Sequence, residues 1–234
     1  MRTYLVTGGA GFIGSNFIRC MLAEHDDVSL INLDALTYAG NLESLSDIDG
    51  KYDDRYEFVK GDITHEEHMN ALFAEKKPDV VVNFAAESHN DRAVLDPGIF
   101  IRTNVMGTQI LLGAARNSGV SRFHHISTCE VFGDLPLDSD EMFREDSRYA
   151  PRTPYNASKA GADHVVMAYY HTFGIPITIT NCSNNYGPYQ FPEKLIPLFA
   201  SNALEGKSLP LFKSSQNKRE WLHVIDHCRA IVTC

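Results

Sequence analysis

A glycine-rich turn near the N-terminus constrains the fold more than any other feature of the sequence. Tyr4-Leu5-Val6 is typical of a short apolar strand, and Gly8, Gly11 and Gly14 follow it ahead of a helical pattern. Gly8 and Gly11 permit a tight turn and close approach of the backbone to a pyrophosphate, and Gly14 lets the helix pack on a sheet. The turn predicts a dinucleotide site in which the helix N-terminus faces the phosphates. An ordinary strand-to-helix turn is the alternative.

An acidic residue strengthens the dinucleotide prediction. Asp34 comes 20 residues after Gly14, at the end of a second apolar strand, Leu30-Ile31-Asn32-Leu33. At that position a carboxylate accepts hydrogen bonds from the adenosine ribose. Because the same carboxylate repels a ribose phosphate, the sequence favours NAD over NADP.

Strands and helices keep alternating after Asp34. Gly61-Asp62-Ile63 follows the third predicted strand, so Asp62 either lies near an adenine or is a simple turn aspartate. The alternation predicts an α/β fold with a doubly wound parallel sheet, a Rossmann-like domain. The remaining predicted elements are strands at Tyr56–Lys60, Asp79–Phe84 and Phe123–Ile126 and helices at His65–Glu75 and Ile99–Asn117.

A second group of reactive side chains follows the strand that starts at Phe123. Ser127-Thr128-Cys129-Glu130 comes at its carboxyl end, where open α/β sheets bind ligands. The acidic stretch Gly133–Arg152 predicts a lid or substrate loop. Thr153 and Pro154 then suit the cap and first residue of a helix that carries Tyr155 and Lys159.

Tyr155 and Lys159 are four residues apart and therefore share one helix face. A phenol has an ordinary pKa of about 10, and a nearby ammonium favours the phenolate. The pair therefore predicts a base that works near neutral pH. Two unrelated surface residues are the alternative, which the glycine turn and Ser127-Thr128 make a poor explanation.

Composition excludes several classes of function. The chain has 234 residues, 44% of them hydrophobic, enough for one domain and the start of a second. Its net charge of −9 and the lack of a basic run argue against nucleic acid as a binding partner. The apolar runs are too short for a membrane span, Met1-Arg2-Thr3 leads directly into the first strand, and five unpaired cysteines suit the cytoplasm. Two histidine pairs, His65/His68 and His223/His227, lack partners for a metal site, so no metal is expected.

Together these residues resemble the extended short-chain dehydrogenase/reductase family of nucleotide-sugar enzymes. The resemblance rests first on Gly8, Gly11, Gly14, Asp34, Ser127-Thr128 and the Tyr155-x-x-x-Lys159 pair. Further motifs are similar to those of the 4,6-dehydratases within that family and cover almost the whole chain. They are Thr37-Tyr38-Ala39-Gly40-Asn41, Ala85-Ala86-Glu87-Ser88-His89, Asn181-Cys182-Ser183-Asn184-Asn185-Tyr186-Gly187 and Pro192-Glu193-Lys194-Leu195.

The resemblance implies two sets of binding residues. For NAD it implies Gly8, Gly11, Phe12, Ile13, Gly14, Asp34, Thr37, Gly40, Asp62, Ile63, Phe84, Ala85, Ala86, Ser88, Thr103, Tyr155, Lys159 and Asn185. For a nucleotide-sugar substrate, dTDP-glucose, it implies Ser88, Thr128, Asn184, Lys194, Leu195, Pro210, Phe212 and Arg219. Lys194 and Arg219 suit a pyrophosphate, and Phe212 would stack on the base.

The resemblance also implies a reaction without net redox change. Tyr155 takes the proton of the sugar 4-hydroxyl, Thr128 holds that hydroxyl and Lys159 contacts the nicotinamide ribose. Glu130 takes the C5 proton, and a neighbouring acid protonates the departing 6-hydroxyl. That acid is Asp in the family but Cys129 here. Four alternatives stay open for Cys129. Its thiol is the acid, or water elimination is slow, or the enzyme uses its ketone intermediate differently. In the fourth, Cys129 is a small packing residue beside a Glu130 that still works.

The resemblance further implies a homodimer through the helices that start at Ile99 and Tyr155. It predicts an NAD-binding domain at residues 1–180 and the start of a substrate lobe at 181–234, incomplete because family members continue further. Two rival functions stay open. One is a UDP-sugar 4,6-dehydratase or 4-epimerase, and the other is a catalytically silent NAD-binding homologue, which Cys129 favours.

Overall fold

A six-stranded parallel sheet forms the centre of the molecule. The structure, a computed structural model, describes residues 1–89, 96–211 and 216–234. Its strands are β1 (Arg2–Thr7), β2 (Val28–Asp34), β3 (Tyr56–Lys60), β4 (Val80–Asn83), β5 (Arg122–Thr128) and β6 (Ile177–Cys182). The strand order is β3-β2-β1-β4-β5-β6, with every neighbouring pair parallel. The doubly wound sheet predicted from the sequence is therefore confirmed.

Helices cover both faces of this sheet. They are α1 (Phe12–Glu24), α2 (Glu66–Lys76), α3, α4 (Pro154–Phe173), α5 (Leu195–Leu204) and α6 (Val224–Thr233), where α3 joins Gly98–Phe100, Ile101–Gly107 and Thr108–Ser118. Thr153 caps α4 as predicted, because its side chain accepts a hydrogen bond of 3.1 Å from the Asn156 backbone N–H. Pro154 is the first residue of that helix, and its missing N–H is no loss there.

The middle of α3 differs from the uniform helix predicted over Ile99–Asn117. Residues Ile101–Gly107 form a π-helix, a form often found at functional sites. Two contacts accompany it. A Cβ on Gly107 would lie 2.6 Å from Ile63 Cγ1, and Asn104 is buried with both amide atoms bonded to the backbone of Glu87. Neither contact is encoded in local periodicity.

Alternation along the strands produces one core on each side of the sheet. Leu5 and Ile31 belong to the cluster under α2 and α3, whereas their neighbours Val6 and Leu30 belong to the cluster under α1. Cys228 of α6 packs into that second cluster. The final helix thus shares a core with α1, while the domain boundary at residue 181 remains a prediction.

The segment after β6 is less well buried. A second, two-stranded parallel sheet pairs β7 (Asn184–Tyr186) with β8 (Trp221–His223). Helix α5 has no buried residue, and its Leu204 side chain is 89% exposed. Among the residues described, no helix is long and apolar enough to cross a membrane.

Candidate active site

The glycine turn lies between β1 and the start of α1, at the point where the sheet order reverses between β1 and β4. Gly8 has a φ of 69°, and a Cβ there would lie 2.8 Å from the backbone N of Ala85. A Cβ on Gly14 would lie 2.4 Å from the carbonyl O of Gly8. Both positions therefore need glycine, one for its conformation and the other for close packing. This crevice is where open α/β sheets bind ligands.

The first turn of α1 is suited to an anion. Gly11 is its N-cap and makes no side-chain capping hydrogen bond. The N–H groups of Phe12, Ile13 and Gly14 belong to the set that a helix cannot satisfy internally, and they carry the positive end of its dipole. The turn therefore fits a dinucleotide pyrophosphate, as its residues predict.

Asp34 ends β2 beside this turn. Its carboxylate accepts hydrogen bonds from the backbone N–H of Ala10 at 2.9 Å and of Leu36 at 2.8 Å. Burial raises the pKa of Asp34, and the two hydrogen bonds oppose that rise. Each carboxylate oxygen can accept a second bond. The arrangement leaves capacity for the hydroxyls of a ribose.

The loop after Asp34 folds back over the carboxylate. A Cβ on Gly40 would lie 2.8 Å from Asp34 Oδ1, and the Gly40 N–H donates to the carbonyl of Thr37. Asn41 donates its N–H to the carbonyl of Ala10, which closes the loop onto the glycine turn. Gly40 therefore lies beside the Asp34 carboxylate, and contact of Thr37 and Gly40 with an adenosine remains a prediction.

Asp62 and Ile63 follow β3, as predicted. Asp62 Oδ1 accepts hydrogen bonds of 2.8 Å from both the backbone N–H and the hydroxyl of Thr64. Part of the Asp62 carboxylate thus stabilises its own turn, and contact with an adenine remains a prediction. Ile63 is buried against Gly107, so that its side chain connects this loop to the π-helical segment.

Residues after β4 form the other wall of the crevice. Phe84 donates its N–H to the Thr7 carbonyl, and Ala85 donates its N–H to Thr7 Oγ1 at 3.2 Å. The Phe84 ring lies 5.3 Å from that of Phe17 on α1. Ala86 is half-buried. These contacts hold the Phe84–Ala86 stretch against the glycine turn, where its small side chains leave room for a ligand.

Thr128, Cys129 and Glu130 lie at the carboxyl end of β5. Thr128 caps a short 3₁₀ helix, Cys129–Phe132, by accepting a hydrogen bond of 3.2 Å from the Glu130 N–H. Cys129 is half-buried and packs with Val131 and Phe132. Burial and the Glu130 carboxylate raise the pKa of the Cys129 thiol. The thiol therefore stays protonated at neutral pH, as an acid must before it acts.

Tyr155 faces these residues from α4, but its pKa differs from the expectation based on spacing alone. Enclosure of the phenol raises the pKa of Tyr155, and the nearby Glu130 carboxylate raises it further. The expected lowering by Lys159 is wrong for this structure. Its physical reason is that desolvation and like charge outweigh an ammonium that is itself buried.

Lys159 is 3% exposed and directs its ammonium away from water. Its Nζ donates to the Ile126 carbonyl at 2.6 Å and lies 3.4 Å from His125 Nε2. Burial lowers the pKa of Lys159, whereas the carboxylate of Asp163 opposes that decrease. The charge of Lys159 therefore depends on its neighbours.

Sequence reasoning missed the buried polar groups around Lys159. Asp163 Oδ2 accepts hydrogen bonds from Ser127 Oγ at 2.7 Å and from the Tyr149 hydroxyl at 3.0 Å. His125 Nε2 lies 3.4 Å from Asp163 Oδ1. One signal was available, because Asp163 comes four residues after Lys159 and so lies on the same helix face. His125 gave none beyond its place in a strand.

The loops at the open end of the cleft converge on Lys194. Lys194 Nζ donates to the Ser88 carbonyl at 3.4 Å, and Glu193 Oε1 lies 3.4 Å from His89 Nδ1. The ring of Tyr38 lies 6.4 Å from that of His89. Three of the four motifs that carried the finer resemblance, those that contain Tyr38, His89 and Lys194, are thus close together in space.

The other predicted substrate residues are half-buried, exposed or outside the described residues. Asn184 lies half-buried on β7. Arg219 is exposed, and its positive charge opposes the rise in the pKa of Cys129. Leu195 is 50% exposed and Pro210 is also exposed. Phe212 lies outside the described residues.

Two predicted cofactor residues have defined neighbours. Asn185 Oδ1 lies 2.9 Å from His227 Nδ1, which orients the amide. Thr103 lies half-buried in the π-helical segment. Over the described ranges, no group of three or more His, Cys, Asp or Glu residues could hold a metal ion.

Comparison with known proteins places this geometry in a family. The family model described as GDP-mannose 4,6 dehydratase matches residues 5–234. The dTDP-glucose 4,6-dehydratase of Shigella flexneri is 51% identical over 98% of this chain, which spans 67% of that protein. DesIV, the dTDP-glucose 4,6-dehydratase of Streptomyces venezuelae crystallised with NAD, is 48% identical with a TM-score of 0.91, over 98% of this chain and 70% of that one.

An epimerase is more distant. The UDP-glucose 4-epimerase of Thermus thermophilus, in complex with NAD, is 29% identical with a TM-score of 0.88, over 99% of this chain and 73% of that one. The fold is therefore shared widely, and sequence identity separates the subgroups. This chain belongs to the GDP-mannose 4,6 dehydratase family of nucleotide-sugar enzymes, and its relatives at about half identity are dTDP-glucose 4,6-dehydratases.

Proposed function

We propose that this protein is an NAD-dependent dTDP-glucose 4,6-dehydratase, which forms dTDP-4-keto-6-deoxyglucose and water. One observation carries the proposal: Thr128, Glu130 and Tyr155 share the carboxyl edge of the sheet with the glycine turn. An epimerase needs the tyrosine, but it has no use for a base at C5. The names of the relatives at about half identity agree with this reading.

The residues of the turn fit NAD. Gly8, Gly14 and the uncapped start of α1 suit the pyrophosphate, and Asp34 suits a ribose with free hydroxyls. When bound, NAD would supply a positive charge, a hydride acceptor for C4 and a hydride donor for C6. The buried Lys159 would hold the inner end of this site next to the nicotinamide ribose.

The side chains of the site divide the proton transfers. Burial and the Glu130 carboxylate raise the pKa of Tyr155, so Tyr155 takes the 4-hydroxyl proton only where the positive charges of Lys159 and bound NAD offset that rise. Thr128 orients the 4-hydroxyl while its own oxygen stays fixed by the Glu130 N–H. Oxidation at C4 makes the C5 proton acidic, and Glu130 removes it. When hydride is added at C6, Glu130 returns a solvent-exchanged proton to C5, so deuterium is expected there. Because the pKa of Cys129 is raised, its thiol retains the proton that the departing 6-hydroxyl needs.

The test is incubation of the purified protein with dTDP-glucose and NAD in deuterated water. Loss of water and deuterium at C5 in the product, measured by mass spectrometry and proton NMR, is the expected result. A product of unchanged mass with inverted C4 would favour a 4-epimerase. Turnover of UDP-glucose alone would favour the UDP-sugar dehydratase, and unchanged sugars with retained NAD would favour a catalytically silent homologue.

Glu130→Gln separates the two enzyme classes further. The amide keeps the shape of Glu130 but cannot accept the C5 proton, so a dehydratase should still oxidise C4 yet release no keto-deoxy product. Reduced nicotinamide would then accumulate and absorb light. An epimerase would keep its full turnover.

We also propose a homodimer formed by α3 and α4. Both helices expose apolar side chains: Ile101 and Met106 on α3 are 48% and 53% exposed, and Tyr170 and Phe173 on α4 are 50% and 44% exposed. Covering them removes apolar surface from water. Light scattering at micromolar protein should give twice the monomer mass, and a monomer would contradict this proposal. The five free cysteines suit a reducing compartment, so we place the enzyme in the cytoplasm.

A further inference from the structure

Asp163 is a fully buried carboxylate that the reaction above does not use. Its exposed fraction is 0%, and it lies on α4 in line with Tyr155 and Lys159 at four-residue spacing. Oδ2 accepts the two hydrogen bonds from Ser127 and Tyr149. Burial raises the pKa of Asp163, and the positive charge of Lys159 is the largest of the influences that oppose this rise.

His125 lies between Asp163 and the only cation among the buried side chains of the described ranges, Lys159. Asn83 Nδ2 approaches His125 Nδ1 at 3.2 Å, and Asn83 Oδ1 is already bonded to the hydroxyl of Thr7. The amide therefore donates to Nδ1, which leaves the His125 proton on Nε2. Nε2 lies 3.4 Å from Asp163 Oδ1, a buried oxygen that accepts no hydrogen bond within the described residues.

This tautomer makes His125 a neutral spacer between the two charges. The same Nε2 lies 3.4 Å from Lys159 Nζ, and because both atoms are donors in this tautomer the two groups are neighbours without a hydrogen bond. Complete burial and the Lys159 charge hold the pKa of His125 well below its usual range, so the ring carries no charge of its own. Asp163 and Lys159 are consequently a charge pair separated by one imidazole edge.

The other titratable groups facing this pair cannot replace either charge. The nearest on β6 is Cys182, whose pKa burial raises to about 11. The pKa of Tyr149, in the loop before α4, is raised to about 12 by burial and by Asp163. Around the Tyr155 phenol, the charged or titratable groups are Glu130, Cys182, Cys129 and Asp163.

We propose that Asp163 is a positioning residue that keeps the Lys159 ammonium charged through His125 and ties that charge to the loop before α4 through Tyr149. Without Asp163, burial alone would favour the neutral amine of Lys159. The neutral amine could no longer support a phenolate at Tyr155. The catalytic consequence rests on the proposed dehydratase function, while the charge pairing does not.

The catalytic test compares pH profiles of C4 oxidation in wild-type protein and Asp163→Asn, measured as reduced nicotinamide in single turnovers. Loss of the carboxylate should move the alkaline limb of the profile to lower pH by about one unit. At a fixed pH on that limb, the rate should therefore be roughly tenfold lower than in the wild-type protein. Asp163→Glu should restore most of that shift. Asp163 also raises the pKa of Tyr155 directly, but by less than Glu130, Cys182 or Cys129 does.

Two matched variants separate charge from hydrogen bonding. Tyr149→Phe and Ser127→Ala each remove one hydrogen bond to Asp163 Oδ2 and leave the carboxylate in place. Their rates can fall, but their alkaline limbs should stay within a few tenths of a pH unit of wild type. An unmoved limb in Asp163→Asn would overturn the proposal and leave Asp163 a structural residue.

A stability cycle tests the pairing even if dTDP-glucose is not the substrate. Thermal unfolding is measured for Asp163→Asn, Lys159→Met and the double variant. Because removing one partner leaves a buried charge unpaired, the double variant should melt above at least one single variant. Additive losses would overturn the pairing. If Asp163→Asn does not fold, a folded double variant supports the proposal and an unfolded one counts against it.

Discussion

The inner and outer ends of the cleft are built in different ways. At the inner end, Lys159, Asp163 and His125 are at most 3% exposed, and His125 Nε2 lies 3.4 Å from a polar atom of each of the other two. At the outer end, Lys194 is 39% exposed in its side chain, and Leu195 begins a helix with no buried residue. Charges at the inner end act in a low dielectric, and those at the outer end act through water.

This difference separates chemistry from binding. Burial shifts the pKa of groups at the inner end: it raises that of Tyr155 and lowers that of Lys159, so the protonation of both depends on the charges around them. The more accessible cations, Arg219 and Lys194, are the ones that we propose to attract the substrate pyrophosphate. Substitutions at the inner end should therefore affect kcat, and substitutions at the outer end should affect KM.

The largest effect is expected for Tyr155→Phe. Loss of the hydroxyl that takes the 4-hydroxyl proton should lower kcat by about 10²- to 10⁴-fold with little change in melting temperature. Tyr170→Phe is the matched control, since it lies on the same helix and is 50% exposed. Steady-state kinetics on both variants would contradict the assignment if they were equally active.

Acid should destabilise the fold through two buried histidines, His124 and His227. Burial lowers the pKa of His124 and of His227 to about 4, below the usual 6.5. Because the unfolded chain binds protons first, stability is complete above about pH 6.5 and is lost as pH falls toward 4, by about 3 kcal/mol for each histidine at the acid end. Urea unfolding at several pH values should detect this loss.

A variant makes the acid prediction specific. His227→Gln keeps a polar group near Asn185 Oδ1 but removes one titrating ring. Its free energy of unfolding should depend less steeply on pH than that of the wild-type protein. An identical slope would mean that His227 does not titrate on unfolding.

Cys129 is expected to have an intermediate effect. Cys129→Ala removes the proposed acid while leaving Glu130 in place, and should lower product release by about 10- to 100-fold with C4 oxidation preserved. Cys129→Asp restores a carboxylic acid and should recover activity. Full activity in Cys129→Ala would instead make the thiol a packing residue of the Val131 and Phe132 cluster.

At the outer end, Lys194→Ala should raise KM about tenfold and leave kcat within about twofold. The ammonium contributes attraction to the substrate pyrophosphate in the ground state and transition state alike, so its loss changes binding only. Higher salt should reduce the difference between variant and wild type. A large fall in kcat with unchanged KM would contradict the proposed division of the cleft.

The smallest effects are expected for two glycines with opposite surroundings. Gly40→Ala places a Cβ 2.8 Å from Asp34 Oδ1 and should weaken NAD binding about tenfold, measured by calorimetry. Gly113→Ala has nothing within 4 Å of its Cβ and lies inside α3, so it should stabilise the fold by about 1 kcal/mol without changing NAD affinity. Equal NAD affinities would show that Gly40 is not needed near Asp34.

Most of the secondary structure follows from short-range patterns. The strand at Tyr56–Lys60 has the bounds that alternation predicts, and Thr153-Pro154 starts α4 as capping predicts. The π-helical segment did not follow, because it depends on Ile63 packing against Gly107 and on Asn104 bonding to Glu87. Those contacts join residues far apart in sequence.

By itself the sequence determined the sheet class, the dinucleotide turn, the Tyr155 and Lys159 pair and the family. These features depend on local spacing and residue type, which are readable in order along the chain. Only the tertiary structure decided the charge environment. Burial reversed the expected shift in the pKa of Tyr155. The packing of β5 against α4 placed His125 between Lys159 and Asp163. Desolvation and charge pairing depend on the distances among β5, α4 and the loops, which no local pattern encodes.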